Sequence, residues 1–320
     1  MKRICAALMT LLLLCACSPA AEPTSNQVNI VATTYPTYLA ALAVTDGVEG
    51  VSVSRLDTGS VSCLHDYTLT VNDMKKLSRA DIIIMNGAGM EDFLADALAS
   101  TNATVIDCSQ GIDLLPAAGH QDHDHEHHHE DGTDHYDSHY WMAPYNMTTM
   151  VHNLLYDLLP LMDTQAYPLM LENAGQALSL IKDCELECLQ LARQAGDNVA
   201  LITFHDGFAY FAHCFDLPLL RAIEEEAGSE ASAKEIVEVS RLVKNHQLPV
   251  IFTEVNGSDA TARAISRETG CAVAPLSMIM DGPAVPPEGC SPITLYTNAI
   301  YRNLCTITEH FSPTGGEHTP

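Results

Sequence analysis

Short apolar runs alternate with longer segments of helical period along most of the chain. Residues 28–33 (VNIVAT) form a strand-length run, and 35–44 a helical one opened by Pro36. Strand character returns over 50–56. A turn-rich segment, 57–63, leads to Leu64-His65-Asp66-Tyr67, and Thr70 or Asn72 is placed to cap a helix running through Leu77. A buried strand follows at 81–86 (DIIIMN), then Gly87-Ala88-Gly89, a helix over 91–98 and a strand over 103–107. Strand–helix alternation at this spacing predicts an α/β fold with a parallel sheet covered by helices on both faces. Past Pro144 a helix is expected over 146–159. A helical stretch over 164–194 then contains only Gly175 as a breaker after Pro168. So long a helix is unusual inside one compact α/β unit and reads as a strut between two. The alternation resumes with strands at 198–203, 217–223, 249–254 and 271–276. Helices are expected between them at 208–214, 231–245 and 259–269, and a closing helix at 293–310.

One stretch breaks this rhythm after the fourth strand. Residues 119–144 read GHQDHDHEHHHEDGTDHYDSHYWMAP and hold eight of the fifteen histidines: His120, His123, His125, His127, His128, His129, His135 and His139. Imidazole is a good ligand for zinc, copper and nickel, and interspersed carboxylates concentrate cations. Such a composition builds no packed core, so a solvated loop is expected up to Asp137. There the polar tract meets the single Trp of the chain and then a Pro, where an ordered element should begin. His139 is read as part of a fixed site and the other seven as a low-affinity collector; the plain alternative is a natural histidine tag.

Composition narrows the class. With 15 basic and 41 acidic residues, the formal charge is −26. That disfavours nucleic acid, whose phosphates need a basic face, and suits a protein that meets cations. Lys2 and Arg3 followed by an apolar run over 4–14 read as a secretory signal, too short for a permanent anchor. Leu14-Cys15-Ala16-Cys17 resembles a bacterial lipobox with Cys17 as the lipidated residue, and SPAAEPTSNQ then reads as a tether. Eight cysteines follow Cys17 without a CxxC pair or a recognisable framework. Buried free thiols are therefore expected, with room for one or two disulfides.

Ligands of open parallel sheets bind beyond the carboxyl ends of strands. His65 lies beyond the second strand, His139 closes the loop after the fourth, and His205 stands two residues past NVALIT. If the two sheets face each other, the three imidazoles converge in the cleft between them, as a zinc site would require.

Several of these pieces resemble a known family. HDYTLTVNDM, the His-rich insertion, DSHYWMAP, TFHDGFAYFA and IFTE are similar to elements of the zinc-type (cluster A-I) solute-binding lipoproteins of bacterial ABC importers, over about residues 28–310. The resemblance implies two (βα) parallel-sheet lobes joined by one long rigid helix, with the metal in the inter-lobe cleft. It implies His65, His139 and His205 as ligands. A fourth ligand, commonly an Asp after the last strand, has no obvious counterpart, because Leu276 is followed by Ser277. Asp281, Glu254, a water or a loop histidine are the alternatives, and Glu254 would serve equally as a partner orienting a ligating imidazole.

The expected division is a signal peptide at 1–17, a tether at 18–27, an N-terminal lobe at 28–160 carrying the loop 119–138, a linking helix at 161–195, a C-terminal lobe at 196–311 and a tail at 312–320. The implied function is extracytoplasmic Zn²⁺ capture by a lipid-anchored monomer that delivers to an ABC permease and its ATPase, with Mn²⁺ as the second metal. A zinc hydrolase with an open coordination position is the enzymatic alternative, but G-x-S-x-G and a phosphate loop are missing, and the letters HExxH occur only at His125–His129 within the polar tract, where no helical pattern supports a zinc-protease site. A surface adhesin or passive chelator is the third reading.

Overall fold

The computed structural model describes residues 27–58, 67–117, 136–196, 198–223, 231–255 and 257–311. Expectations for the signal peptide, Cys17, most of the tether, Cys63, His65, the seven histidines from His120 to His135 and the tail fall outside these residues.

Two four-stranded parallel sheets carry the fold. The first comprises β1 (Val28–Ala32), β2 (Val51–Arg55), β3 (Ile82–Met85) and β4 (Thr104–Asp107), in the order β2-β1-β3-β4. The second comprises β5 (Leu201–Thr203), β6 (Leu219–Ala222), β7 (Val250–Glu254) and β8 (Ala272–Leu276), in the order β6-β5-β7-β8. Each sheet reverses direction of winding between its first and third strands, which is where ligand crevices open in such folds.

Side-chain parity explains why both faces are covered. Ile30, Ala32, Ile82 and Ile84 enter one core while Val31 and Ile83 enter another on the far face. In the second sheet Leu201, Val250 and Phe252 enter the first core, and Ile202 and Ile251 a third. Successive strand residues point to opposite faces, so these strands must be apolar throughout. The inner faces of both sheets therefore share a single continuous core.

The helices fill the layers. They are α1 (Tyr35–Thr45), α2 (Val71–Leu77), α3 (Ala95–Ala99), α4 (Pro144–Leu158), α5 (Tyr167–Ala195), α6 (Ala209–Cys214), α7 (Ala233–His246), α8 (Ala260–Thr269) and α9 (Ile293–Phe311). The strut expected over 164–194 is α5, 29 residues and roughly 44 Å at about 1.5 Å per residue. Its buried positions Met170, Ala174, Ala177, Ile181, Cys184, Cys188 and Ala192 recur every three or four residues, forming one stripe. The stripe packs against α1 and α4 of the first lobe and α9 of the second. Thr70 caps α2 through a reciprocal bond with Asp73. Asp73 also accepts from the Tyr67 hydroxyl and the Asp57 amide, and these donors outweigh burial and hold its carboxyl below the usual range.

The helix expected over 91–98 is met by a helical run one residue later, whose first turn is 3₁₀ rather than α. Residues 87–89 all have positive φ, and Glu91 turns inward to accept from Thr33, Asn86 and Gly87. A 3₁₀ turn at Asp92–Leu94 precedes α3. The seven described cysteines are unpaired thiols, four of them buried.

Candidate metal centre

Two of the three sequence-predicted histidines meet between the lobes. The His139 and His205 ring centroids are 5.3 Å apart with their planes at 85°. His139 is only 8% exposed. His65 falls outside the described residues, and among those residues no three His, Cys, Asp or Glu side chains close on one point.

His139 is fixed by Asp137. One carboxylate oxygen of Asp137 lies 2.8 Å from His139 Nδ1 and accepts the His139 amide at 2.9 Å. A carboxylate can only accept here, so Nδ1 carries the proton and the Nε2 lone pair is left for a cation. Asp137 was not singled out by sequence reasoning, although its position two residues before His139 is the signal that would have found it.

The loop that carries them is propped from both lobes. Asn86, just past β3, donates through Nδ2 to the Ser138 carbonyl at 3.0 Å and accepts the Tyr140 hydroxyl at its own carbonyl. Glu91 holds Asn86 in turn, accepting its amide at 2.7 Å and the Thr33 hydroxyl at 2.6 Å. Burial pushes the Glu91 carboxyl up to about 7, against the pull of those donors. From the second lobe, the Tyr210 hydroxyl on α6 donates to the Asp137 carbonyl and accepts the Leu115 amide, both at 2.8 Å. An antiparallel bridge between Pro116 and Tyr136 joins the two flanks of the His-rich insertion.

Trp141 is fully buried, its ring centroid 5.3 Å from that of His139. Its indole N–H donates to the Met278 carbonyl at 2.9 Å, and its carbonyl accepts from Tyr296 of α9 at 2.7 Å. Gly207, two residues past His205, packs directly on the His139 ring. A Cβ there would stand 3.1 to 3.2 Å from ring carbons and 2.5 Å from the Met278 sulfur, so a larger residue would have to push both side chains aside.

The two candidates for a fourth ligand lie on one cavity of about 170 Å³, lined also by Ser277, Met278 and Met280. Glu254 ends β7, is 5% exposed, and its carboxyl is pushed up to about 7 by burial, partly offset by the nearby His139 imidazole. Asp281 is held in an ion pair with Arg55 of the first lobe at 2.8 Å.

One family model matches across both lobes. Residues 30–310 fit the zinc-uptake complex component A, periplasmic (ZnuA). The chain belongs to that family. It is 28% identical over 275 residues to the zinc-binding protein AdcA of Streptococcus pyogenes serotype M6, covering 79% of this chain and 50% of that protein. It is 26% identical over 279 residues to the zinc-binding lipoprotein AdcA of Streptococcus pneumoniae strain R6, covering 84% and 54%. The chain thus spans about half the length of these relatives. Its fold is that of a ZnuA crystal structure, with a TM-score of 0.72 at 23% identity, covering 89% of this chain and 99% of the other. The ZnuA family is one of transport components. Membership favours none of the alternatives raised from the sequence: hydrolase, adhesin or passive chelator.

Proposed function

We propose that this chain captures Zn²⁺ outside the cytoplasmic membrane and delivers it to an ABC permease and its ATPase. The carrying observation is the His139–His205 pair. Two imidazoles sharing one tetrahedral zinc, with Zn–N near 2.0–2.1 Å, place their ring centroids about 5 Å apart, and the observed separation is 5.3 Å. His139 is pre-set in the required tautomer by Asp137, so little reorganisation accompanies binding.

His65 supplies the third imidazole in this reading, and Glu254 the negative charge at the fourth position. Imidazole-rich coordination suits zinc better than manganese. The histidines from His120 to His135 form a collector that raises the local metal concentration beside the cleft. Cys17 anchors the protein, a monomer, by lipid to the outer face of the membrane. The name of the pneumococcal relative, a zinc-binding lipoprotein, supports that anchorage.

The test is a competitive Zn²⁺ titration against a chromophoric chelator, using protein with residues 120–135 deleted and a His205→Ala version of the same protein. One tight equivalent that is lost in the His205→Ala protein is expected. No tight binding by the deletion protein would move the site into the loop and end the cleft reading.

A further inference from the structure

Between β8 and α9 the chain leaves its own lobe and lies across the first one. The Met278 carbonyl takes the Trp141 indole N–H, and the Ala284 carbonyl takes the Tyr38 hydroxyl. Gly282 is pressed on the Tyr35 ring so closely that a Cβ would overlap it. Ile279, a β-branched residue, is held at φ +60°, which costs energy and persists only where the surroundings impose it.

Arg55, the last residue of β2, grips this strap. Its Nη2 donates to Asp281 Oδ1 at 2.8 Å and to the Gly282 carbonyl at 2.9 Å, and its guanidinium lies 4.6 Å above the Tyr35 ring centroid. The Arg55 side chain is 16% exposed, and its buried Nη1 has no partner among the described residues. Asp281 Oδ1 also accepts the Gly282 amide at 2.7 Å. Asp281 thus lines the cavity it shares with Glu254, with one oxygen committed and its charge matched by a guanidinium.

We propose that Arg55 determines metal specificity by neutralising Asp281, so that a cation in the cleft meets imidazoles and one carboxylate rather than two. The inference rests on the cleft reading of His139 and His205. Hard cations such as Mn²⁺ gain most from carboxylate oxygens, whereas zinc is served by imidazole nitrogen. A second free carboxylate on this cavity would raise affinity for the harder ion. Arginine suits the task because it stays charged at any working pH, and its fork ties carboxylate and backbone together. A role for Arg55 in presenting Asp281 to the metal predicts the opposite: its loss would weaken both metals.

The experiment compares Zn²⁺ and Mn²⁺ affinity, by chelator competition, in full-length wild-type, Arg55→Gln, Arg55→Lys and Arg55→Gln/Asp281→Asn proteins. Arg55→Gln is expected to tighten Mn²⁺ by about tenfold and to change Zn²⁺ by less than about threefold. Arg55→Lys, which restores the cation, should recover most of the discrimination. The double variant should lose the Mn²⁺ gain although its lobe-to-lobe tie is equally absent, which separates charge from tethering. Weakening of both metals in Arg55→Gln, or an unchanged Mn²⁺ affinity, overturns the proposal. His205→Ala placed on Arg55→Gln tells the two readings apart: tight zinc surviving there refutes the cleft site itself, whatever Arg55 does.

Discussion

In the second lobe, His205 stands two residues past β5 and Glu254 ends β7, the two strands that flank the reversal of that sheet. The backbone of the sheet places them, and a bond from Thr203 Oγ1 to the His205 carbonyl, at 3.0 Å, supports the turn. In the first lobe the equivalent strand ends, β1 and β3, carry Thr33 and Asn86, neither of them a metal ligand. They support instead a loop that arrives from β4 and presents His139. One imidazole is therefore positioned by a sheet edge and the other by a relay of buried polar groups. A sheet edge is hard to disturb by single substitutions, whereas a buried relay fails when one member is lost.

That contrast can be broken in graded steps. His205→Ala should cost the most, about a hundredfold or more in Zn²⁺ affinity by competition, with an unchanged melting profile in metal-free protein. Asp137→Asn should come next. The amide at 137 can donate to Nδ1, freeing the wrong nitrogen, and affinity should fall by about ten- to a hundredfold with both imidazoles still present. Asn86→Ala should lower affinity by about tenfold and stability by about 2 kcal/mol in denaturant unfolding, since it strands the Ser138 carbonyl. Equal affinity in Asp137→Asn, Asn86→Ala and wild type would show that the relay is packing only.

The smallest effect is a pH dependence. The Glu91 carboxyl is raised to about 7 in the folded protein, above its unfolded value near 4.5. The folded state therefore holds this proton more tightly than the unfolded one. Its contribution to stability is complete below pH 4.5 and is lost as pH rises towards 7. Metal-free wild type should gain stability between pH 7 and pH 5, and Glu91→Gln should flatten the slope over that window. An identical slope in both proteins would show that Glu91 carries its charge as an ordinary carboxylate.

Much of this architecture was legible in the sequence. Strands buried on both faces and helices with capping residues announce themselves locally, and α5 was visible as an uninterrupted period. The helix expected over 91–98 opens as a 3₁₀ turn because Glu91, helical by propensity, turns inward to accept the Thr33 hydroxyl and the Asn86 amide instead. Residue types and strand ends marked His139, His205 and Glu254 as candidates. The grip of Arg55 on Asp281 was not visible, because it joins residues 226 positions apart and follows only from how the two lobes meet. Asp281 looked like a free carboxylate for the same reason.

The inner faces of both sheets, α1, α4, α5 and α9 form one uninterrupted apolar body beneath the cleft. A molecule drawn as two lobes is in this respect a single melting unit. Heat should take it through one calorimetric transition, with matching van't Hoff and calorimetric enthalpies. Zinc held at the cleft would then protect α9 as fully as it protects β1.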